Sequence, residues 1–119
     1  MMKIIVYKNK NGEYIGVDTI GHADAAEYGE DIYCAGVSAL FINMVNSIEE
    51  LTKDQFSYDS TGYGESDDKG NPEEDRISFR LTGEYSADAQ LLLKSFVLGI
   101  KSIIKGNGSD YIELDIVEI

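Results

Sequence analysis

The sequence predicts an α+β fold, an α/β sandwich in which a mixed, mostly antiparallel sheet carries two main helices in the order β-β-α-β-β-α-β. Three observations lead there. A β-branched N-terminal run is followed by Asn-Gly turn chemistry, two stretches repeat their apolar residues at helical spacing, and two later segments alternate apolar with polar. A chain of 119 residues fits one domain, 1–119.

Met2 to Tyr7 reads as the first strand, and Asn11-Gly12 suits a hairpin leading into a second strand over Tyr14 to Ile20. Gly21 ends that strand and His22 follows. Ala23 to Asp31 lacks strong apolar residues and reads as a loop or a broken first turn. From Ile32 the period changes. Val37, Leu40, Phe41, Met44, Val45, Ile48 and Leu51 mark an amphipathic helix, for which Asp31 is the expected N-cap. Gln55 to Ser60 is a weak strand. Asp59 to Asp75 then carries seven acids, three glycines and the only proline, the composition of a long polar loop. Arg76 to Thr82 alternates, with Ile77, Phe79 and Leu81 on one face. Ser86 opens a second helix that runs to Lys105, with Leu92, Phe96, Ile100, Ile103 and Ile104 among its apolar positions, and Gly106-Asn107-Gly108 ends it. Tyr111 to Val117 alternates again as a last strand.

Charge and composition remove several function classes. With 22 acidic against 10 basic side chains the net charge is −12, which argues against direct binding of a nucleic-acid backbone. A basic protein partner stays open. No apolar run approaches the roughly 20 residues of a membrane helix, and no signal peptide is evident, so the expected setting is cytoplasmic. One Cys and one His cannot complete a four-ligand zinc site. The acidic loop fails the calcium-loop pattern: with Glu65 as its first position Gly70 fits, but Lys69 and Arg76 fall where oxygen ligands are needed. Gly62 and Gly64 lack the rest of a phosphate-binding motif. Neither metal nor cofactor is expected.

What remains is Gly21-His22-Ala23 followed by a stretch from Gly29 through Asp31, Cys34 and Ser38 to Leu40. If Asp31 caps the helix, Cys34 lies in its first turn, where unsatisfied N–H groups and the positive dipole end stabilise a thiolate and could hold a developing oxyanion. Ala35 and Gly36 are small enough to let a substrate approach. His22, at a strand end, is a candidate base. Each residue also has a plainer role: Cys34 a small buried hydrophobe, His22 a surface or capping residue, Asp31 a structural cap rather than an orienting partner of His22, and Ser38 a helix–sheet packing residue.

The spaced motif Gly21-His22-Ala23…Gly29-x-Asp31-Ile32-x-Cys34-Ala35-x-Val37-Ser38-Ala39-Leu40 resembles that of the ribosomal-processing cysteine protease family, Prp, and the likeness extends along essentially the whole chain. The resemblance implies a small bacterial cytoplasmic endopeptidase, homodimeric, that removes an N-terminal extension from the large-subunit ribosomal protein numbered twenty-seven. It implies Cys34 as nucleophile and His22 as general base, with Asp31 and Ser38 at motif positions in supporting roles. Tyr33 and Gly36 depart from the commoner aliphatic residues or Ala, and a glycine in the first turns costs up to about 1 kcal/mol of helix stability. The acidic excess would steer a basic ribosomal precursor toward the enzyme. The loop at 59–75, with Gly62 and Gly64, is a candidate flap over substrate or simply a solvated connection. The alternative function is a non-enzymatic acidic binding module or assembly factor for a basic ribosomal partner.

Overall fold

Strand β1 (Met2–Lys8) and strand β2 (Tyr14–Ile20) form an antiparallel hairpin at the start of the chain. The computed structural model describes residues 2–21, 30–61, 76–106 and 108–119. The hairpin loop is longer than a two-residue Asn-Gly turn. The Asn9 carboxamide oxygen accepts the backbone N–H groups of Asn11 and Glu13, and Gly12 takes a positive φ of 81°.

Helix α1 (Glu30–Leu51), strand β3 (Phe56–Thr61), strand β4 (Arg76–Leu81), helix α2 (Ala87–Lys105) and strand β5 (Ile112–Glu118) complete the expected order. A short 3-10 turn, Gly108–Asp110, precedes β5. The sheet order is β3-β4-β2-β1-β5, with every neighbouring pair antiparallel except β1 and β5. The parallel pair is possible because the chain returns to β5 through α2 rather than through a tight turn.

Both helices cover one face of the sheet. Ile4, Val6, Val17, Phe79 and Leu81 point at it, and Val37, Phe41, Met44, Leu93, Phe96 and Ile100 meet them from the helices. Full burial of each such side chain contributes roughly 1.5–3 kcal/mol. The α2 stripe is displaced from the expected one, with Leu93 rather than Leu92 completely buried. The Gln90 side chain pins α2 to the sheet, accepting the Tyr14 N–H and donating to the Tyr14 carbonyl, each at 2.7 Å.

Three expectations need correction. Helix α1 begins at Glu30, so Asp31 lies inside its first turn and is not the N-cap. Two acids in that turn suit the positive dipole end, which rewards Asp31 without requiring it to cap. Strand β3 extends through Thr61, so Asp59, Ser60 and Thr61 belong to the sheet and not to the acidic loop. Finally, Ile32–Leu51 is long and apolar enough to cross a membrane by length and composition. Its inward stripe at Val37, Phe41, Met44 and Ile48 is packed in the core, which accounts for the apolar content.

Candidate active site

One end of the sheet gathers the chain segments that matter. Ile20, the last residue of β2, pairs with Arg76, which in turn pairs with Thr61, so β2 leaves, β3 leaves and β4 enters at the same edge. Lys3 pairs with Ile20, placing Met2 and its partner Ile112 there as well. Tyr33 stacks on Tyr111 with ring centroids 5.0 Å apart, which brings the start of α1 to this end. Gly21 follows Ile20 with a φ of 87°, a conformation that side chains disfavour, so the chain turns sharply just before position 22.

Cys34 is the fifth residue of α1, beyond the four N–H groups that a helix start leaves unsatisfied. It is 6% exposed and shares the core cluster with Val37 and Phe41. The plainer expectation of a buried small residue is thus met in its packing. Gly36 does not open an approach to the sulfur, because a Cβ there would lie 3.4 Å from the Ile103 methyl of α2; its size serves helix–helix packing. Ala35 is exposed. Ser38, expected as a packing residue, is exposed one turn beyond Cys34. His22, the flap with Gly62 and Gly64, and the side chain of Asp31 lie outside the described residues. Among the described residues no three metal-ligating side chains come together.

A cluster that the sequence left unremarked lies on the other face of the sheet. Asp18 is 0% exposed, yet it sits on the face that the helices do not cover. Arg76 donates to one of its carboxylate oxygens, Arg80 donates to the other at 2.6 Å, and the Tyr7 hydroxyl adds a bond of 3.1 Å. Arg80 also stacks 4.1 Å from the Tyr7 ring centroid. Gly16 makes this possible, since a Cβ there would come within 2.5 Å of the Arg80 Cδ and 2.8 Å of the Phe79 carbonyl oxygen. Burial alone would raise the Asp18 pKa, but hydrogen bonds from Arg80 and Arg76 outweigh it and hold the carboxyl below its ordinary value. The only sequence signal was an acid set among β-branched residues of a strand.

Known proteins resemble the whole chain. The family model described as Cysteine protease Prp matches residues 1–113. The ribosomal processing cysteine protease Prp of Staphylococcus aureus strain Mu50 is 30% identical over 105 residues, covering 87% of this chain and 88% of that protein. The crystal structure of S. aureus Prp with a substrate peptide superposes with a TM-score of 0.79 at 28% identity, over 98% of this chain and 100% of that one. The same protease with a covalently linked product peptide gives 0.76 at 29% identity, over 98% and 100% of the two chains. A Streptococcus mutans protein gives 0.80 at 28% identity, over 100% and 99%.

Proposed function

Because this chain belongs to the Cysteine protease Prp family and is a cysteine peptidase, we propose that it removes the N-terminal extension of the large-subunit ribosomal protein numbered twenty-seven, with Cys34 as nucleophile and His22 as general base. The carrying observation is the spaced motif of Gly21-His22-Ala23 and Asp31 to Leu40, together with the common end of the sheet at which β2 leaves and α1 starts. The acidic-module alternative is set aside by the match to a family of peptidases.

In this mechanism His22 takes the Cys34 proton and the thiolate attacks the scissile carbonyl carbon. The tetrahedral oxyanion collapses to a thioester as the imidazolium gives its proton to the leaving amine. Water, deprotonated by His22, then attacks the thioester and releases the thiol. The N–H groups at the α1 start precede Cys34 by a turn, so the oxyanion is held by Glu30 to Ile32 backbone rather than by the Cys34 N–H itself.

The test is cleavage of a peptide spanning the extension junction. Cys34→Ala and His22→Ala are each expected to lower kcat by at least about 1,000-fold, with the fold retained by circular dichroism. The alkylation rate of Cys34 against pH is the companion measurement, with reactivity expected well below the ordinary free-thiol value of about 8.5. Wild-type cleavage by either variant would sink the assignment.

A further inference from the structure

The residue before Cys34 departs from the family motif, and the structure gives it a partner. The Tyr33 ring lies on the Tyr111 ring with centroids 5.0 Å apart and planes 15° from parallel. This is an aromatic stack between the first turn of α1 and the residue that leads into β5. Both rings are half-buried and pack against the core cluster. Tyr111 is itself firmly held. Its N–H donates to the Gly108 carbonyl at 3.0 Å and its carbonyl accepts the Met2 N–H at 2.9 Å, which ties it to the 3-10 turn and to the start of β1. That turn sits tightly on α2, since a Cβ at Gly108 would lie 2.7 Å from the Ile103 carbonyl oxygen.

Among the described residues, little else fixes the first turn of α1. Ile32 is 69% exposed, and the helix enters the core cluster only at Cys34, continuing with Val37 and Phe41. Gly36 weakens the helix near its start, because glycine loses the most backbone freedom on folding. The turn that carries Cys34 is thus short of anchors on its N-terminal side, and Tyr33 supplies one. Successive side chains project about 100° apart around a helix, so a grip on Tyr33 fixes the rotational setting of the Cys34 sulfur. Rotation is a sensitive coordinate. About 12° of it moves an atom about 5 Å from the axis by about 1 Å, and about 1 Å of misplacement can cost roughly a hundredfold in rate.

We propose that Tyr111 is a positioning residue for the nucleophile: its ring, seated on the corner where α2, the 3-10 turn and β1 meet, grips Tyr33 and sets the start and rotation of α1, and with them the place of the Cys34 sulfur. The inference rests on the peptidase function above and adds what holds the nucleophile in place. Ring overlap carries the effect, so phenylalanine at either position keeps the contact, whereas leucine keeps apolar volume and loses the stack.

The experiment uses the full chain and the junction peptide. Tyr111→Leu is expected to lower kcat at least about tenfold with KM within about twofold, while Tyr111→Phe and Tyr33→Phe keep both constants. Tyr33→Leu should lose the same factor as Tyr111→Leu, and serves in its place should that variant not fold. The double leucine variant should lose no more than either single one, because both remove one contact. Tyr85→Leu, a half-buried tyrosine on the same core beside Ser86 at the other end of the sheet, should keep the wild-type kcat. Three outcomes overturn the inference: wild-type kcat in both leucine variants, losses that multiply in the double variant, or a loss in Tyr111→Phe equal to that in Tyr111→Leu. Amide hydrogen exchange gives a readout that needs no cleavage. The Cys34 and Ala35 amides should exchange about tenfold faster in Tyr111→Leu, with those of Leu93 and Phe96 in α2 unchanged. Equal exchange in Tyr111→Leu and wild type also overturns the inference. Faster exchange confined to α1 supports the anchor even if no enzyme cleaves the peptide, an outcome that would overturn the peptidase function alone.

Discussion

Asp18 shows what a single residue can hide. In the alternation of β2 it falls on the face away from the helices, where an acid ordinarily meets water. Instead the chain's only two arginines close over it, and Tyr7 completes the cage. Those partners are 58 and 62 residues away in sequence, so nothing local announces them. Asp18→Asn should destabilise the protein by about 2 kcal/mol at pH 7, since hydrogen bonds to charged groups contribute roughly 1.5–3 kcal/mol and the half-exposed arginines can rehydrate. The folded pKa lies below the unfolded value of about 3.9, so this stability is fully present above that pH and is lost as pH falls through the folded pKa. Urea unfolding of both proteins should therefore differ clearly at pH 7 and converge in strong acid; a constant difference would contradict the assignment. Cys34 is the opposite case, a residue that its motif singled out and whose burial, 6% exposed, the plainer reading of a small apolar residue anticipated.

The two helices differ in how plainly their ends were written. Ser86 caps α2 as expected: its hydroxyl oxygen accepts the Ala89 N–H at 3.0 Å, and the hydroxyl donates to Asp54, whose carboxylate also accepts the Ser86 N–H at 2.9 Å. One residue thus caps α2 and ties it to the connection between α1 and β3. Ser86→Ala should lower stability by about 1 kcal/mol, read as a lower urea midpoint at unchanged m value. An unchanged midpoint would mean that Asp54 caps the helix alone. At the α1 start Asp31 carried the same chemistry, yet the helix begins one residue before it. A cap needs non-helical backbone at its own position, and side-chain type alone does not decide where the helical dihedrals begin. Strand β3 was legible only as weak because it ends the sheet order among the described strands and its alternation is shallow.

At the scale of the molecule, charge and topology carry the function between them. A net charge of −12 should accelerate encounter with a basic precursor, so kcat/KM for a lysine-rich junction peptide should fall severalfold between about 0.05 and 0.5 M salt. Cys34 alkylation by a neutral reagent should not fall in parallel. Equal salt dependence of the two would remove steering as the cause. Hydrophobic period, turn chemistry and one spaced motif determined the α+β class, the seven-element order and the family, because those signals act over a few residues and need no partner. The tertiary structure alone decided the sheet order, the parallel closure of β5 on β1, and the burial of Asp18 beneath two distant arginines. Each of those depends on which distant surfaces meet, and the free energy of that meeting is a property of the assembled sheet and helices rather than of any one segment.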